Sequence, residues 1–247
     1  MLAFAQQLPA QPLKNFTLVT LVGSPLEGVA PTDEEVVRLV ADKYGLDPSS
    51  VDPYILPAAS RREEKKEEEE KKILGRAADA DIVVTGIGSL GSYSAEEQNS
   101  GNLVVDMGIG SLGTRSTVSF GLHALHFLHP TLDRHLQTGE YLEGALRSRD
   151  IVADLGFRLI DRDGEVIRDE LCRAIADKVA APEPERLAEL SQRDGHFVIA
   201  IACGEEKAAA VRATHRYYNV LITDERCAEA ILKMEAQADT TPSGPMQ

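Results

Sequence analysis

The stretch FVIAIACGEEKAAAVRATHR (197–216), followed closely by NVLITDERCAEAILKM (219–234), decides the fold. Each begins with an apolar run rich in β-branched residues, continues through a short polar loop and then becomes helical. In the second, Thr223 or Asp224 is placed to cap the helix, and its predicted buried stripe consists of Cys227, Ile231 and Met234. Two consecutive strand–helix units predict a parallel sheet with helices on its faces.

Earlier segments repeat this pattern. The run FTLVTLVG (16–23) predicts a buried strand, and it precedes a capping box at Thr32–Glu35 and an amphipathic helix that Gly45 ends. The run DIVVTGIGS (81–89) predicts a strand that feeds a glycine-rich turn, and FRLIDRDGEVI (157–167) predicts a hairpin around Arg-Asp-Gly. The sequence therefore predicts an α/β fold.

The predicted organisation is one domain with flanking segments. We expect an N-terminal extension at 1–14, a domain at 15–236 and a disordered tail at 237–247, because the tail is polar and contains Pro and Gly. Residues 95–148 are predicted to form an insert or a lid. The run RREEKKEEEEKK (61–72) carries six acidic and six basic residues, which is typical of a solvated helix.

Composition excludes several classes of protein. The 247 residues include 40 acidic and 26 basic ones, which gives a net charge of −14, and 43% are hydrophobic. This is a globular composition, and an acidic chain is repelled by nucleic-acid phosphates, so we expect no direct nucleic-acid binding. No apolar run reaches the roughly 20 residues of a membrane-spanning helix, and no secretory signal is recognised. Three scattered cysteines predict reduced thiols and a cytoplasmic location: Cys172, Cys203 and Cys227.

Ligands of parallel α/β sheets bind at the carboxyl ends of the strands. Three loops are predicted there: Gly23-Ser24, Gly86-Ile87-Gly88-Ser89, and Cys203-Gly204 with the following Glu-Glu-Lys. Glycine lets the backbone approach an anion closely, which favours a phosphate or carboxylate. The alternative is that the GIGS segment is only a tight turn. Its glycines fit the dinucleotide spacing GxGxxG, but the polar stretch behind them does not open a helix.

Two charged residues are candidates for direct ligand contact. Lys207 stands near a helix start, where its charge makes sense if an anion lies beside it; the alternative is a solvated side chain paired with Glu205 or Glu206. Asp154 is placed to accept hydrogen bonds from sugar hydroxyls, and the alternative is a local turn or cap. His123, His126 and His129 do not match a metal-site motif, so no metal and no cofactor are expected.

The order of these segments resembles a known family. LVGSP, an LPA segment, ADADIVVTGIGS, DIVADLGFRLIDRDGEVI, FVIAIACGEEKAAAV and NVLITDERCAEAIL are similar to the sugar-binding effector domain of SorC/DeoR-type bacterial transcriptional regulators. The resemblance runs from about Phe16 to Leu232. It implies a Rossmann-like parallel sheet sandwiched by helices, similar to the fold of phosphosugar isomerases and CoA transferases.

The resemblance also implies a phosphosugar pocket. The pocket would be built from the GIGS loop, Asp154 and Lys207, and the full predicted ligand-binding set is Gly23, Ser24, Ser60, Gly86, Gly88, Ser89, Asp154, Cys203, Gly204 and Lys207. Two departures bear on it. Cys203 replaces the first glycine of the family's Ala-Gly-Gly loop, and would be strained if that position needs a positive φ. The family's GAVGD segment reads DIVAD here, which keeps Asp154 but lacks both glycines.

Three functions follow as hypotheses. The first is an effector domain that senses a phosphorylated sugar as part of, or as a relative of, a homo-oligomeric regulator; the family's helix-turn-helix has no room before the first strand. The second is an isomerase- or lactonase-like enzyme on the same fold, with Asp154, Asp224 or Glu205 as general base. The third is an interaction subunit that has lost the site.

Overall fold

The computed structural model describes residues 2–14, 16–19, 21, 33–46, 51–52, 75–76, 79–90, 105–106, 149–156, 158–176 and 181–240. The predicted charged helix at 61–72 and the three closely spaced histidines lie outside these residues. The predicted insert at 95–148 also lies outside them, apart from residues 105–106.

A parallel sheet is built from three of the predicted strands. Strand β8 (Phe197–Ile201) lies between β3 (Ile82–Gly86) and β9 (Val220–Ile222). Successive side chains of β3 and β8 point to opposite faces of the sheet. Val83 and Val198 are Cα partners, and both are buried. The apolar, β-branched runs therefore form the strands that their composition predicts.

A second parallel pair joins β1 (Leu18–Val19) and β2 (Val51–Asp52), with helix α2 (Asp33–Tyr44) between them in the chain. The helix ends as predicted: Gly45 has φ +58°, and the Leu46 amide donates to the carbonyl of Ala41 at 3.0 Å. Glycine adopts this left-handed conformation without the steric penalty of a Cβ, which explains why it ends the helix.

The N-terminal extension contains helix α1 (Leu2–Gln7), which packs against α2. Ala5 is buried, and Lys43 of α2 donates from Nζ to the carbonyls of Gln6 at 2.7 Å and Leu8 at 2.6 Å. A cation at these last carbonyls satisfies acceptors that a helix end leaves without partners. The described part of segment 1–14 is therefore attached to the domain.

An antiparallel sheet, which the sequence analysis did not predict, lies beside the parallel one. Its strand order is β5 (Val105–Asp106), β4 (Gly88–Leu90), β6 (Ile151–Leu155) and β7 (Arg158–Asp161). All five residues of β6 are buried. The strand therefore shows no alternation of buried and exposed residues from which its solvent-facing side could be predicted. The architecture is thus mixed α/β, with a parallel sheet flanked by helices.

The predicted hairpin around Arg-Asp-Gly is present but shorter than expected. Its turn contains Gly164 at φ +84°, and Asp161 accepts the amides of Asp163 and Glu165 on Oδ1 at 3.0 and 2.8 Å. The second predicted strand is reduced to a bridge between Ile160 and Val166.

Five short helical segments precede the final helix. They are α3 (Glu170–Ala176), α4 (Pro184–Ser191), a 3-10 turn (Glu205–Lys207) continued by α5 (Ala208–Thr214), and a second 3-10 turn (His215–Tyr217). One buried apolar cluster contains residues of both sheets together with α4, α5 and the final helix. None of the described helices is long and apolar enough to cross a membrane.

The final helix, α6 (Glu225–Thr240), corrects the predicted tail. Cys227 is fully buried and Ile231 packs against the core, as the predicted stripe requires. However, the helix extends to Thr240, four residues into the segment predicted to be disordered. Its last residues are polar but include good helix formers, and polarity alone does not end a helix.

Candidate functional site

The carboxyl ends of the three parallel strands lie side by side. Beyond the strands, the Ile87 amide donates to the carbonyl of Ile201 at 3.4 Å, and the Ala202 amide donates to that of Ile222 at 3.1 Å. These bonds align the segments that leave β3, β8 and β9 at one edge of the sheet. This is the edge where parallel α/β sheets bind their ligands.

The GIGS segment, which was predicted to be a glycine-rich turn, is a crossing between two sheets. Gly86 ends β3 and Gly88 begins β4, so only Ile87 separates the two strands, and its side chain is 1% exposed. An apolar side chain anchored in the core holds the chain inward here. Ser89 is buried, and β4 is paired on both sides, so its backbone polar groups serve the sheet rather than an open anion cradle.

Lys207 is buried beside this crossing. Its side chain is 4% exposed, and Nζ donates to the carbonyl of Ile87 at 2.9 Å. The Lys207 side chain is therefore not solvated in the way that the alternative required. The ammonium and the GIGS segment, which are 120 residues apart in sequence, meet as the predicted pocket requires.

Asp154 belongs to the same assembly. It is the Cα partner of Gly88 in the pairing of β6 with β4, and its side chain is 6% exposed. The alternative of a turn or cap residue is wrong, because Asp154 lies within a strand. The Lys207 ammonium thus lies against the Ile87 carbonyl, and Asp154 is buried in the strand that pairs with the next residue, Gly88.

The loop after β8 is shaped by Gly204. It has φ +100°, and its amide donates to Asp224 Oδ1 at 3.0 Å. Among the described residues Asp150 is the one non-glycine residue with a positive φ, so the expected strain at Cys203 is absent. The glycine that this loop needs is the second one, which the sequence retains, and Cys203 is exposed beside it.

Asp224 joins this loop to α6. Its Oδ1 also accepts the Cys227 amide at 3.0 Å, which makes Asp224 the cap of the helix. These two amides hold the pKa of the Asp224 carboxyl below its usual value, because they stabilise the ionised form. The sequence predicted the cap but not the bond to Gly204, which depends on the alignment of two strands.

The predicted residues thus fall into two groups. The structure brings together Gly86, Gly88, Ser89, Asp154, Cys203, Gly204 and Lys207. Gly23, Ser24 and Ser60 lie outside the described residues. The Ile87 carbonyl is a contact that the sequence analysis missed, since no side-chain pattern marks a backbone acceptor. Across the described segments, no group of three or more His, Cys, Asp or Glu side chains is arranged to hold a metal ion.

Residues 129–233 match the family model described as "Putative sugar-binding domain". This range contains Asp154, Cys203, Gly204 and Lys207, and the GIGS segment precedes it. No curated protein matches the chain.

Three solved structures have the same fold. The probable sor operon regulator from Shigella flexneri gives a TM-score of 0.63 at 18% identity, over 93% of this chain and 75% of that one. The full-length sorbitol operon regulator SorC from Klebsiella pneumoniae gives a TM-score of 0.61 at 19% identity, over 93% of this chain and 62% of that one.

The third is described as the "Putative Sugar-Binding Domain of Transcriptional Repressor from Vibrio fischeri". It gives a TM-score of 0.61 at 22% identity, over 95% of this chain and 76% of that one. The resemblance drawn from the sequence is confirmed: residues 129–233 match a sugar-binding domain model, and the chain has the fold of the sugar-binding domains of SorC- and DeoR-type transcriptional regulators.

Proposed function

We propose that this chain binds a phosphorylated sugar, or a related anionic carbohydrate metabolite, as the effector-binding part of a transcriptional regulator. The family match supports a sugar ligand. The observation that carries the proposal is the buried Lys207 ammonium, held against the Ile87 carbonyl beside the Gly88–Asp154 pair.

A sugar phosphate needs two kinds of partner, and this site offers both. A lysine ammonium is a compact charge with three donors, one of which goes to Ile87 and so orients the group. Asp154 is an acceptor suited to sugar hydroxyls. Because both groups are buried, water screens their interaction with a ligand less than at the surface.

The site also connects parts of the fold that a ligand could bias. Lys207 reaches the crossing between the two sheets, and Gly204 is bonded through Asp224 to the start of α6. A ligand that binds one arrangement of these elements more tightly shifts the population toward it. We propose that this shift acts on the contacts of a cytoplasmic homo-oligomer and that operator binding resides in a separate helix-turn-helix part.

The test is ligand-induced thermal stabilisation with a panel of hexose and pentose phosphates. A ligand present at one hundred times its Kd stabilises the native state by about 2.7 kcal/mol. Lys207→Met should abolish this increment for the phosphate that stabilises the unaltered protein. Lys233→Met is the matched control, since Lys233 lies on α6 and its side chain is 72% exposed.

Two outcomes would contradict the proposal. One is full stabilisation of Lys207→Met by the same sugar phosphate, and the other is no stabilisation of the unaltered protein by any phosphate in the panel. If Lys207→Met does not fold, Asp154→Asn provides the second variant, because the amide keeps the size of the side chain and removes its charge.

The isomerase- or lactonase-like alternative receives less support. It needs a general base, and Asp224 is poorly suited because two backbone amides stabilise its ionised form. The same fold also hosts binding proteins, so fold gives no preference for activity. Incubation with aldose and ketose phosphates, followed by NMR, tests the alternative: interconversion lost in Asp154→Asn would establish it.

A further inference from the structure

The Glu206 side chain folds back over the loop that the proposed site uses. The Lys207 amide donates to the Gly204 carbonyl at 3.1 Å, so residues 204–207 form one tight turn. Within it, a Cβ placed on Gly204 would lie 2.6 Å from Glu206 Oε2 and 2.7 Å from Glu206 Cδ. The Glu206 carboxylate therefore occupies the space that the missing side chain of Gly204 leaves open.

This position puts negative charge on both sides of Gly204. Asp224 accepts the Gly204 amide on one side, and the Glu206 carboxylate covers the α-carbon on the other. The positive charge of the turn, on Lys207, is buried, whereas Glu206 is exposed. An anionic group that approaches Gly204 from solvent therefore meets the Glu206 carboxylate, which covers the α-carbon.

We infer that Glu206 sets the selectivity of the site by competing with the anionic group of the ligand for the space over Gly204. This inference rests on the proposed function, and it assigns Glu206 a role opposite in sign to that of Lys207. An exposed glutamate has several rotamers, so it can turn away from Gly204 when a ligand enters, and its charge weakens the binding of any anion that does not displace it fully.

The experiment measures binding of fructose 6-phosphate, glucosamine 6-phosphate and inorganic phosphate by titration calorimetry, with unphosphorylated fructose alongside. Glu206→Gln keeps the size of the side chain and removes its charge. We expect it to bind the phosphorylated probes about tenfold more tightly than the unaltered protein does. Glu205→Gln makes the same change of charge one residue away, and we expect about twofold or less, because surface charges are screened by salt. Neither change should alter the binding of unphosphorylated fructose.

The results separate this inference from the proposed function. Equal gains in Glu205→Gln and Glu206→Gln would overturn it, since only net charge would then matter. Weaker binding by Glu206→Gln would also overturn the inference, because the carboxylate would then be a ligand contact. The absence of phosphate binding in all three proteins would overturn it as well. If Glu206→Gln gains affinity while Lys207→Met binds phosphate normally, the Glu206 inference stands and the proposed role of Lys207 fails.

Discussion

Among the polar clusters that are buried in the described part of the chain, two differ in what they place in the core. In the Tyr217 cluster (Gly164, Glu165, Arg216 and Tyr217), the Tyr217 hydroxyl donates to the Gly164 carbonyl at 2.7 Å and accepts from Arg216 at 2.8 Å. The charged Arg216 and Glu165 pair with each other at the surface, at 2.7 Å. The buried groups are thus neutral, and the formal charges remain in water.

The Lys207 site (Ile87, Gly88, Asp154, Gly204 and Lys207) has the opposite arrangement. Here the ammonium and a carboxylate are in the interior, while Gly204 and the acidic side chains beside it lie nearer to the surface. Burial of charge weakens a fold unless the groups are well paired. The Tyr217 cluster therefore has the arrangement of a structural element. The charges of the Lys207 site are those that water screens least, and we propose that a ligand uses them.

The largest expected effect tests the structural role of the Tyr217 cluster. In Gly164→Ala a Cβ would lie 2.5 Å from the Ala213 carbonyl oxygen, and the residue would keep φ +84°. Together these costs should lower the free energy of unfolding by about 3 kcal/mol, measured by urea denaturation. Gly195→Ala is a control, since its φ is also positive but no atom lies within 4 Å of the added carbon.

Gly164→Ala also tests whether the two clusters act independently. The increment of stability that a sugar phosphate adds should be unchanged in Gly164→Ala, whereas Lys207→Met should lose it. A Gly164→Ala protein that folds normally but no longer responds to ligand would show that the two clusters are not separable.

A smaller effect is expected at Asp224, which belongs to the surroundings of the Lys207 site. Asp224→Ala removes the acceptor of two amides and should lower the free energy of unfolding by about 1 kcal/mol at pH 7. The pKa of Asp224 is lower in the folded state than in the unfolded state. Its ionised form therefore contributes stability above the usual Asp pKa of about 4, and this is lost as the pH falls through the folded value.

Denaturation of the unaltered protein and of Asp224→Ala at several pH values between 7 and 2 checks this prediction. The difference between them should shrink as the carboxyl becomes protonated. Asp224→Asn is the control, because an amide caps a helix about as well as a carboxylate does but does not titrate. A difference that stays constant down to the lowest pH would contradict the assignment.

The smallest expected effect is on the reactivity of the Cys203 thiol, and it does not involve the stability of the fold. Cys203 is exposed, whereas Cys172 and Cys227 are buried, and burial raises the pKa of the Cys172 thiol to about 12. We expect one fast-reacting thiol in the native protein and three after unfolding, as measured with a chromogenic disulfide reagent. Cys203→Ser should remove the fast phase. Because Cys203 adjoins Gly204, a bound sugar phosphate should slow the reaction.

Much of the fold could be predicted because it depends on local patterns. The strand–helix units, the end of α2 at Gly45 and the cap at Asp224 all follow from residues close together in sequence. The antiparallel sheet could not be predicted in the same way. Strands β4 and β5 have three and two residues, and their pairing joins Ser89 to Asp106, so no periodicity develops.

The candidate site could likewise be predicted only as far as local residue patterns reach. Residue types indicated Lys207 and Asp154, and the family resemblance placed both in one pocket. Their burial depends on contacts that span the chain, such as that between Lys207 and the Ile87 carbonyl, and a lysine that follows two glutamates has the local sequence of a surface residue. Strain at Cys203 was expected only if its position needs a positive φ, and the structure places the positive φ at Gly204 instead.

The shared oxygen of Asp224 has a mechanical consequence. A single atom, Oδ1, holds both the amide of Gly204 and the first turn of α6. The 16 residues of α6 form a rod about 24 Å long, at a rise of about 1.5 Å per residue. A tilt of roughly three to five degrees at its base would move the distant tip by about one to two ångströms.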